Sequence, residues 1–509
     1  MSVSRQVPKN LAMNVVSFIC SMLIGLWLVP YLVGHLGVAA YGLVPLAMIF
    51  SEYVGFIVQS INSAINRFLL IAIRKESHSE SLEVFNSSLF LVFGLILLQV
   101  PLCILILFNL ESLIDVPDGL LVDSLWLFGF TFGGFLLSLL SAVFSVSMFS
   151  NNRLDLMRAC DVLRLLTRVI VVISLFAVKG PALCWVGLAN LVASIVFLIM
   201  TVWQWARLTP GLRISLSHFR WGRVSALASM GGWVTLGQVG YLLFVRTDVW
   251  LISKFIGAEG AGQYAAVLQW STMIRSIGGV LAGVAAPLIA IYYAKSEFVR
   301  MGEVAVLSVK AMVFGLSLIV CVLCLFSEFL LSSWLGQEYS HLWPLFVAQV
   351  SHLGLNAGVL PLFSVNTAMN RVKWPGLVSL GCAITHFCGS LWILRSGGGM
   401  LAVAILGASL LILKNGFFGV VYGAKLLGVK FRLLLREIWL PIASVTLFVG
   451  ASYLVVTQFL KLNGWAAFGL TSCFGLLGVL PLALWLLGNG YGGQMVREWV
   501  GDRWNTKRA

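Results

Sequence analysis

About 14 stretches of the chain are almost wholly apolar, and most of them exceed 20 residues. Because a helix of about 20 apolar residues crosses a hydrocarbon layer about 30 Å thick, each stretch predicts a membrane-spanning helix. The predicted spans lie near residues 11–34, 40–66, 85–109, 120–148, 159–178, 182–205, 227–256, 262–293, 304–334, 342–369, 375–394, 399–424, 438–460 and 464–488. The predicted fold class is all-α, a polytopic membrane protein with about 14 transmembrane helices.

Composition supports this prediction and narrows the classes of function. The chain has 509 residues, of which 60% are hydrophobic and 10% are charged, whereas soluble domains carry about 25% charged residues. The segments between the predicted spans are too short to fold as a catalytic domain. Nine cysteines lie almost wholly inside apolar segments, which favours packing over metal binding, so we expect no cofactor and no metal.

The net charge of +14 follows the predicted topology. With the amino terminus in the cytoplasm, most of the basic residues fall in cytoplasmic segments, and the opposite side holds only Lys179, Lys254, Arg395 and Lys461. Such a bias sets the orientation of membrane proteins. We therefore expect both termini in the cytoplasm, contacts of the basic loops with membrane lipids, and no nucleic-acid binding.

A short internal repeat links the two halves of the chain. Gly37 and Gly42 bracket the first external turn, and Gly257 and Gly262 bracket the fourth, at an offset of 220 residues from Gly37 to Gly257. Glycines are common in membrane turns, so chance is the alternative explanation. The repeat predicts two lobes of six helices each, followed by two added helices. The predicted boundaries are 1–205 for the first lobe, 206–226 for a cytoplasmic linker, 227–424 for the second lobe and 425–509 for the added helices and a basic tail.

Charged residues inside the predicted spans are the strongest sign of function, because each one costs at least about 2.5–3.5 kcal/mol at bilayer depth. Bases outnumber acids: the bases are Arg164, Arg168, Arg246, Arg275, Lys310 and Lys414, and the acids are Glu52, Asp161 and Asp248. Arg168 and Arg275, near mid-span, are predicted to line a cavity. Lys310 lies closer to a span end and is predicted to reach the membrane surface. For Arg246, a cavity role and neutralisation of a carboxylate on another helix both stay open. For Lys414, a cavity role and a side chain that reaches the membrane surface both stay open.

Polar side chains recur at helical spacing in four spans and therefore share helix faces. They are Glu52, Gln59, Asn62 and Asn66 in span 40–66, Asp161, Arg164 and Arg168 in span 159–178, Gln238 and Arg246 in span 227–256, and Gln269, Thr272 and Arg275 in span 262–293. Asp161 can pair with Arg164, which leaves Arg168 without a local partner. Glu52 is either an ion-coupling residue or a counter-charge for an arginine.

A cavity with surplus arginine suits an anionic substrate, because guanidinium groups bind phosphate oxygens in pairs and a low dielectric strengthens the attraction. The candidate substrate-binding residues are Arg164, Arg168, Arg246, Arg275 and Lys414, and the candidate ion-coupling residues are Glu52, Asp161 and Asp248. The candidate polar residues that line the cavity are Gln59, Asn62, Asn66, Gln238, Gln269 and Thr272. The sequence contains no recognisable catalytic motif.

The segments WLVPYLVGHLGVAAYGLVPL and RTDVWLISKFIGAEGAGQYAAV resemble those of the polysaccharide-transporter, or O-antigen flippase, family. The residues that carry the resemblance include Arg246, Asp248, Gly257, Gly262 and Tyr264. This family belongs to the superfamily of multidrug, oligosaccharidyl-lipid and polysaccharide exporters. The resemblance implies two six-helix lobes and the flipping of undecaprenyl-diphosphate-linked saccharides across the bacterial inner membrane by alternating access, with ion coupling.

The resemblance thus implies a transport protein and not an enzyme. Its substrate would be a lipid-linked oligosaccharide of O-antigen, exopolysaccharide or capsule, and its partners a polysaccharide polymerase and chain-length machinery. A relative of the lipid II flippases stays open, as do two further alternatives: an integral-membrane polymerase or glycosyltransferase, and a multidrug exporter of the same superfamily. Neither of the last two fits well, because the sequence lacks a large external loop and span 11–34 lacks an acidic residue.

Overall fold

The computed structural model describes residues 3–74, 78–225, 240, 243–244 and 246–489. Side chains are described in these ranges except at 3–5, 7, 55–64, 66–67, 70–74, 482 and 485–489. The structure is 88% helix, and the described residues contain no strand. The predicted all-α class is confirmed.

Long helices form the amino-terminal part of the chain, and each overlaps one predicted span. They are α1 (Val3–Leu36), α2 (Val38–Arg74), α3 (His78–Phe108), α4 (Leu121–Ser150), α5 (Leu154–Lys179) and α6 (Leu183–Leu208). Apolar runs fold this way because a helix satisfies every backbone polar group internally. The chain passes from α1 to α2 through Gly37 alone, whose φ of 82° is a conformation that favours glycine.

The helices that follow are more often interrupted. They are α7 (Thr247–Phe255), α8 (Ala258–Ala294), α9 (Phe298–Leu325), α10 (Ser327–Trp334), α11 (Trp343–Val350), α12 (Leu353–Gly358), α13 (Leu360–Ala368), α14 (Lys373–Arg395), α15 (Met400–Leu411), α16 (Val420–Leu427), α17 (Phe431–Leu454) and α18 (Gly464–Asn489). The span predicted at 342–369 is broken into α11, α12 and α13, with a bend of 40° before α13. A π-helical turn, Ile412–Gly419, joins α15 to α16.

Ten of the described helical segments are long and apolar enough to cross a membrane, or eleven if the bent pair Gln337–Gly358 and Leu360–Ala368 counts as one span. The helix α5 is not among them, because charged residues interrupt its apolar sequence. The span predicted at 227–256 lies largely outside the described residues. The chain is a multi-pass membrane protein, and the predicted count of 14 spans is not confirmed.

Contacts group the chain into two compact units, Met1–Ala265 and Ala266–Ala509. The division falls inside α8 and places α7 with the first unit. The helices α17 and α18 belong to the second unit. The predicted boundaries of two lobes, a linker and two added helices stay a prediction.

Each unit has its own apolar core. In the first unit, the ring of Trp205 on α6 lies 5.5 Å from that of Phe85 on α3 and 5.3 Å from that of Phe144 on α4. In the second unit, Val309 of α9 and Ile438 of α17 are fully buried in one cluster. Burial of these side chains makes α17 part of the second unit's core.

A buried ion pair joins the same two helices of the second unit. Lys310 of α9 and Glu437 of α17 form a salt bridge, and their side chains are 1% and 8% exposed. The prediction that Lys310 reaches the membrane surface is therefore wrong. Its partner lies on a distant span, so position along α9 alone did not reveal it.

The segment that follows α6 lies against the start of α3. The amide nitrogen of Asn86 donates to the carbonyl oxygen of Arg213 at 2.9 Å, and the Asn86 side-chain oxygen accepts from the N–H of Ser215 at 2.7 Å. Arg223 forms an ion pair with Glu80 at 3.1 Å. These bonds fix the described part of the predicted linker, 206–226, to α3.

Candidate functional site

Two arginines lie near the middle of α5. Arg164 donates a long hydrogen bond of 3.5 Å to the Ser138 hydroxyl, and its guanidinium lies 5.1 Å from the ring centroid of Phe197. Arg168 is half-buried, and its Nε has no hydrogen-bond partner among the described residues. The charge of Arg164 acts on Arg168. Two like charges held together near the middle of α5 make this part of the helix a region of positive potential.

Asp161 does not neutralise these arginines. Its Oδ2 lies 3.1 Å from Nη1 of Arg158, so the predicted pair of Asp161 with Arg164 is wrong. Arg158 and Arg164 both lie three residues from Asp161, and spacing alone could not distinguish them. Within the described part of the chain, no carboxylate forms an ion pair with Arg164 or Arg168.

Glu52 of α2 and Arg246, the residue before α7, form an ion pair through two contacts. Nε of Arg246 lies 3.0 Å from Oε2 of Glu52, and Nη2 lies 3.1 Å from Oε1. Beside them, the hydroxyls of Tyr53 and Thr247 are 3.0 Å apart. Arg246 therefore neutralises a carboxylate of another helix, which was one of the two roles that the sequence left open.

Two more carboxylates hold the junction of α7 and α8. Asp248, buried at the start of α7, accepts a hydrogen bond of 2.8 Å from the hydroxyl of Tyr264 on α8. Asp115 accepts the N–H of Ala258, the first residue of α8, at 2.8 Å. An acidic side chain at this position satisfies an N–H group that the helix itself leaves open.

Two of the four glycines of the internal repeat, Gly42 and Gly262, lie in contact. A Cβ atom on Gly42 would lie 2.8 Å from the amide nitrogen of Gly262, and one on Gly262 would lie 2.0 Å from the carbonyl oxygen of Val38. The backbones of α2 and α8 are therefore in direct contact. Glycine is required at Gly262 because any larger residue would overlap the backbone of α2.

In the second unit, one face of α8 packs along α11 and α12. The hydroxyl of Ser271 donates to the carbonyl oxygen of Gln349 at 2.7 Å. Further along the same face, a Cβ on Gly278 would lie 2.7 Å from the methyl group of Ala357. Arg275 lies between these two contacts on α8, close to the middle of the helix.

Arg275 is grouped with two other basic side chains. Its charge acts on His352, at the start of α12, and on Lys414 of the π-helical turn. His352 is buried, and its Nδ1 lies 2.6 Å from the amide nitrogen of Asn356. The structure thus brings together the predicted residues Arg275 and Lys414. The sequence did not point to His352 and Asn356, because each polar stripe singled out there contains a charged residue and the span 342–369 has none.

The remaining predicted residues add little to the arginines of α5 or to the basic residues around Arg275. The hydroxyl of Thr272 donates to the carbonyl oxygen of Leu268 in its own helix at 3.0 Å, and Gln269 is half-buried on α8. Outside the described residues lie Gln238 and the side chains of Gln59, Asn62 and Asn66. Across the described part of the chain, no group of three or more His, Cys, Asp or Glu side chains is placed to hold a metal ion.

Comparisons with known proteins identify the fold. No family model matches the chain, but it is 28% identical over 460 residues, 90% of each chain, to the uncharacterized membrane protein EpsK of Bacillus subtilis (strain 168). The lipid II flippase MurJ, in an inward closed conformation, matches with a TM-score of 0.67 at 14% identity over 93% of this chain and 97% of that one. An inward-facing multidrug resistance transporter of the MATE family, within the MOP superfamily, matches with a TM-score of 0.61 at 15% identity over 82% and 98%. This chain has the MOP fold.

These matches confirm the fold that the resemblance in the sequence implied. A Vibrio cholerae MATE transporter, VcmN, also matches, with a TM-score of 0.59 at 14% identity over 84% of this chain and 98% of that one. Residues that carried the resemblance have structural roles in this MOP-fold chain: Gly262 allows the contact of α2 with α8, and Asp248 bonds to Tyr264.

Proposed function

We propose that this protein is a flippase for undecaprenyl-diphosphate-linked oligosaccharide in the bacterial inner membrane. The oligosaccharide is an O-antigen, exopolysaccharide or capsule repeat unit. The protein binds the phosphorylated headgroup, opens to the two sides of the membrane in turn and draws energy from an ion gradient. The fold supports a role in transport, since the solved proteins that share it are named as a flippase and as transporters.

The observation that carries this proposal is the pair Arg164 and Arg168 on α5. Both lie near mid-span, neither forms an ion pair with a carboxylate of the described chain, and Nε of Arg168 is buried without a hydrogen-bond partner there. Each guanidinium at this depth costs at least about 2.5–3.5 kcal/mol. A phosphate group that binds both would offset that cost, because guanidinium forms paired, charge-assisted hydrogen bonds with phosphate oxygens.

The opposite face of α5 suits contact with lipid. Leu166 and Ile170 are 42% and 61% exposed, and each lies two residues from an arginine, on the other side of the helix. The helix therefore separates an apolar face from a cationic one. Such a helix can hold a charged headgroup on one side while its other side contacts acyl chains.

Replacing Arg168 with alanine tests the proposal. In cells that depend on this gene for surface glycan, the Arg168→Ala variant should accumulate lipid-linked saccharide on the cytoplasmic leaflet and lose export. Loss of one charged hydrogen-bond donor should weaken headgroup binding roughly 10- to 100-fold. The measurements are the amount of lipid-linked saccharide, the amount of surface glycan and the level of protein in the membrane.

Arg395→Ala is the matched control, because Arg395 is exposed at the end of α14. This variant should export glycan as the unmodified protein does. Full export by Arg168→Ala at a normal protein level would remove Arg168 from the binding site.

A further inference from the structure

Three helical segments of the second unit come together: α8, the broken span of α11 and α12, and the π-helical turn Ile412–Gly419. Gln349, His352 and Asn356 recur every three to four residues, so they form one stripe along α11 and α12. That stripe runs beside Arg275 of α8, between the contacts at Ser271 and at Gly278 described above.

The π-helical turn Ile412–Gly419 reaches the same place. A Cβ on Gly416 would lie 2.7 Å from the side chain of Leu355, which precedes Asn356 in α12. The turn also carries Lys414 and Asn415. Wide turns of this kind inside α-helices are frequent at functional sites, and broken membrane helices place polar groups where substrates bind.

Buried amide groups in this region lack hydrogen-bond partners among the described residues. They are both polar atoms of the Gln349 side chain and the side-chain oxygens of Asn356 and Asn415. These three residues are only 5%, 3% and 7% exposed. A buried amide without a partner costs about 1–3 kcal/mol, so the presence of three such residues in this region favours a polar ligand there.

The charge in this region is positive. Lys414 lies at mid-span and forms no ion pair with a carboxylate in the described chain, and the positive charge of Arg275 acts on it. The buried ion pair of the second unit, Lys310 with Glu437, is already complete. A ligand that neutralises Lys414 must carry negative charge.

We propose that Lys414 and Arg275, supported by the amides of Gln349, Asn356 and Asn415, form a second anion-binding site, which holds an oxyanion of the transported lipid-linked saccharide. The cations bind the oxyanion, and the amides exchange hydrogen bonds with neighbouring hydroxyl groups. This inference rests on the proposed function. Two sources of the oxyanion fit the same chemistry: the carboxylate of an acidic sugar, and a phosphate of the lipid linkage.

Binding to the purified full-length protein in lipid nanodiscs separates these sources. The probes are glucuronate, inorganic pyrophosphate and uncharged glucose, measured by titration calorimetry. In Lys414→Gln, the affinity for the anion that the site takes should fall at least about tenfold. Asn356→Leu should also lower the affinity for that anion. Lys425→Gln, at an exposed lysine near the end of the same span, should leave the affinity unchanged. Lys414→Arg should keep the binding and shows that a folded protein is being measured.

A loss confined to glucuronate supports the site and assigns it to an acidic sugar, whereas a loss confined to pyrophosphate supports the site and assigns it to the phosphate linkage. Equal affinities of the unmodified protein and Lys414→Gln for both anions would overturn the inference. Failure of the proposed function has a different signature, because lipid-linked saccharide would then not be transported even though Lys414-dependent anion binding persists.

Discussion

Single charged residues inside the spans fall into two kinds. Glu52 with Arg246 and Lys310 with Glu437 form complete ion pairs. Arg164 and Arg168 instead lie beside each other with no carboxylate bound to either in the described chain. Because an uncompensated charge at bilayer depth is costly, residues of the first kind explain stability and residues of the second kind point to a ligand.

Removing one partner of the buried pair Lys310–Glu437 should destabilise the second unit. The variant Lys310→Met leaves the Glu437 carboxylate buried without its partner, which costs about 3–5 kcal/mol in comparable buried pairs. The double variant Lys310→Met/Glu437→Leu should regain most of the loss, since it leaves no buried charge. The melting temperatures of the three purified proteins test this, and a double variant less stable than the single one would contradict it.

Exchanging the charges of Glu52 and Arg246 tests whether pairing is their role. If pairing is the role of both residues, Glu52→Arg and Arg246→Glu alone should each reduce export, and the two together should restore part of it. If Glu52 also couples transport to an ion gradient, Glu52→Gln should weaken the dependence of transport on a proton or sodium gradient. Ion dependence that is unchanged in Glu52→Gln would make Glu52 a counter-charge alone.

Local spacing predicted which residues share a helix face but not which partner each one chooses. Asp161 has an arginine three residues away on either side, and in the folded protein it pairs with Arg158. The partner of Lys310 is Glu437 on α17, which no short-range pattern could indicate. The uncharged residues around Arg275 were missed for another reason: buried asparagine and histidine become visible as a site only when three helices bring them together.

At the scale of helices, direct backbone contact between α2 and α8 is the most constrained feature. Gly262→Ala should disrupt it, because the added Cβ would lie 2.0 Å from the carbonyl oxygen of Val38. Gly279→Ala, in the same helix, is the matched control, since a Cβ there meets nothing within 4 Å and alanine favours the helix.

Both glycine variants are compared with the unmodified protein by melting temperature and by glycan export. Gly262→Ala should lower the melting temperature and reduce export, whereas Gly279→Ala should match or exceed the unmodified protein in stability. A Gly262→Ala protein with normal stability and export would show that the contact can open without cost.

The apolar runs predicted where most helices lie, because helix is the structure that satisfies the backbone in lipid. They did not predict the breaks at Ser351 and Val359 or the π-helical turn at Ile412–Gly419. Such interruptions depend on neighbouring helices that satisfy the freed backbone groups, so they are tertiary features. They occur where polar residues gather in the second unit, which links the irregular backbone to the proposed anion site.

At the scale of the whole molecule, the fold alone does not decide the function. The MOP fold is shared with proteins named as a lipid II flippase and as multidrug transporters, and folds host many functions. Within the proposed transport function, the choice between an anionic lipid and a cationic drug therefore depends on the charge of the spans. The arginines of α5 favour the anionic lipid.

Flipping of purified undecaprenyl-diphosphate-linked oligosaccharide in proteoliposomes tests the central claim most directly. The lipid is placed in both leaflets, and a glycosidase added outside digests the saccharide that becomes accessible. We expect the unmodified protein to make nearly the whole pool accessible and Arg164→Gln/Arg168→Gln to leave the inner-leaflet share protected. If the unmodified protein leaves the same share protected as protein-free liposomes do, under an imposed ion gradient of either direction, the protein is not a flippase for this lipid.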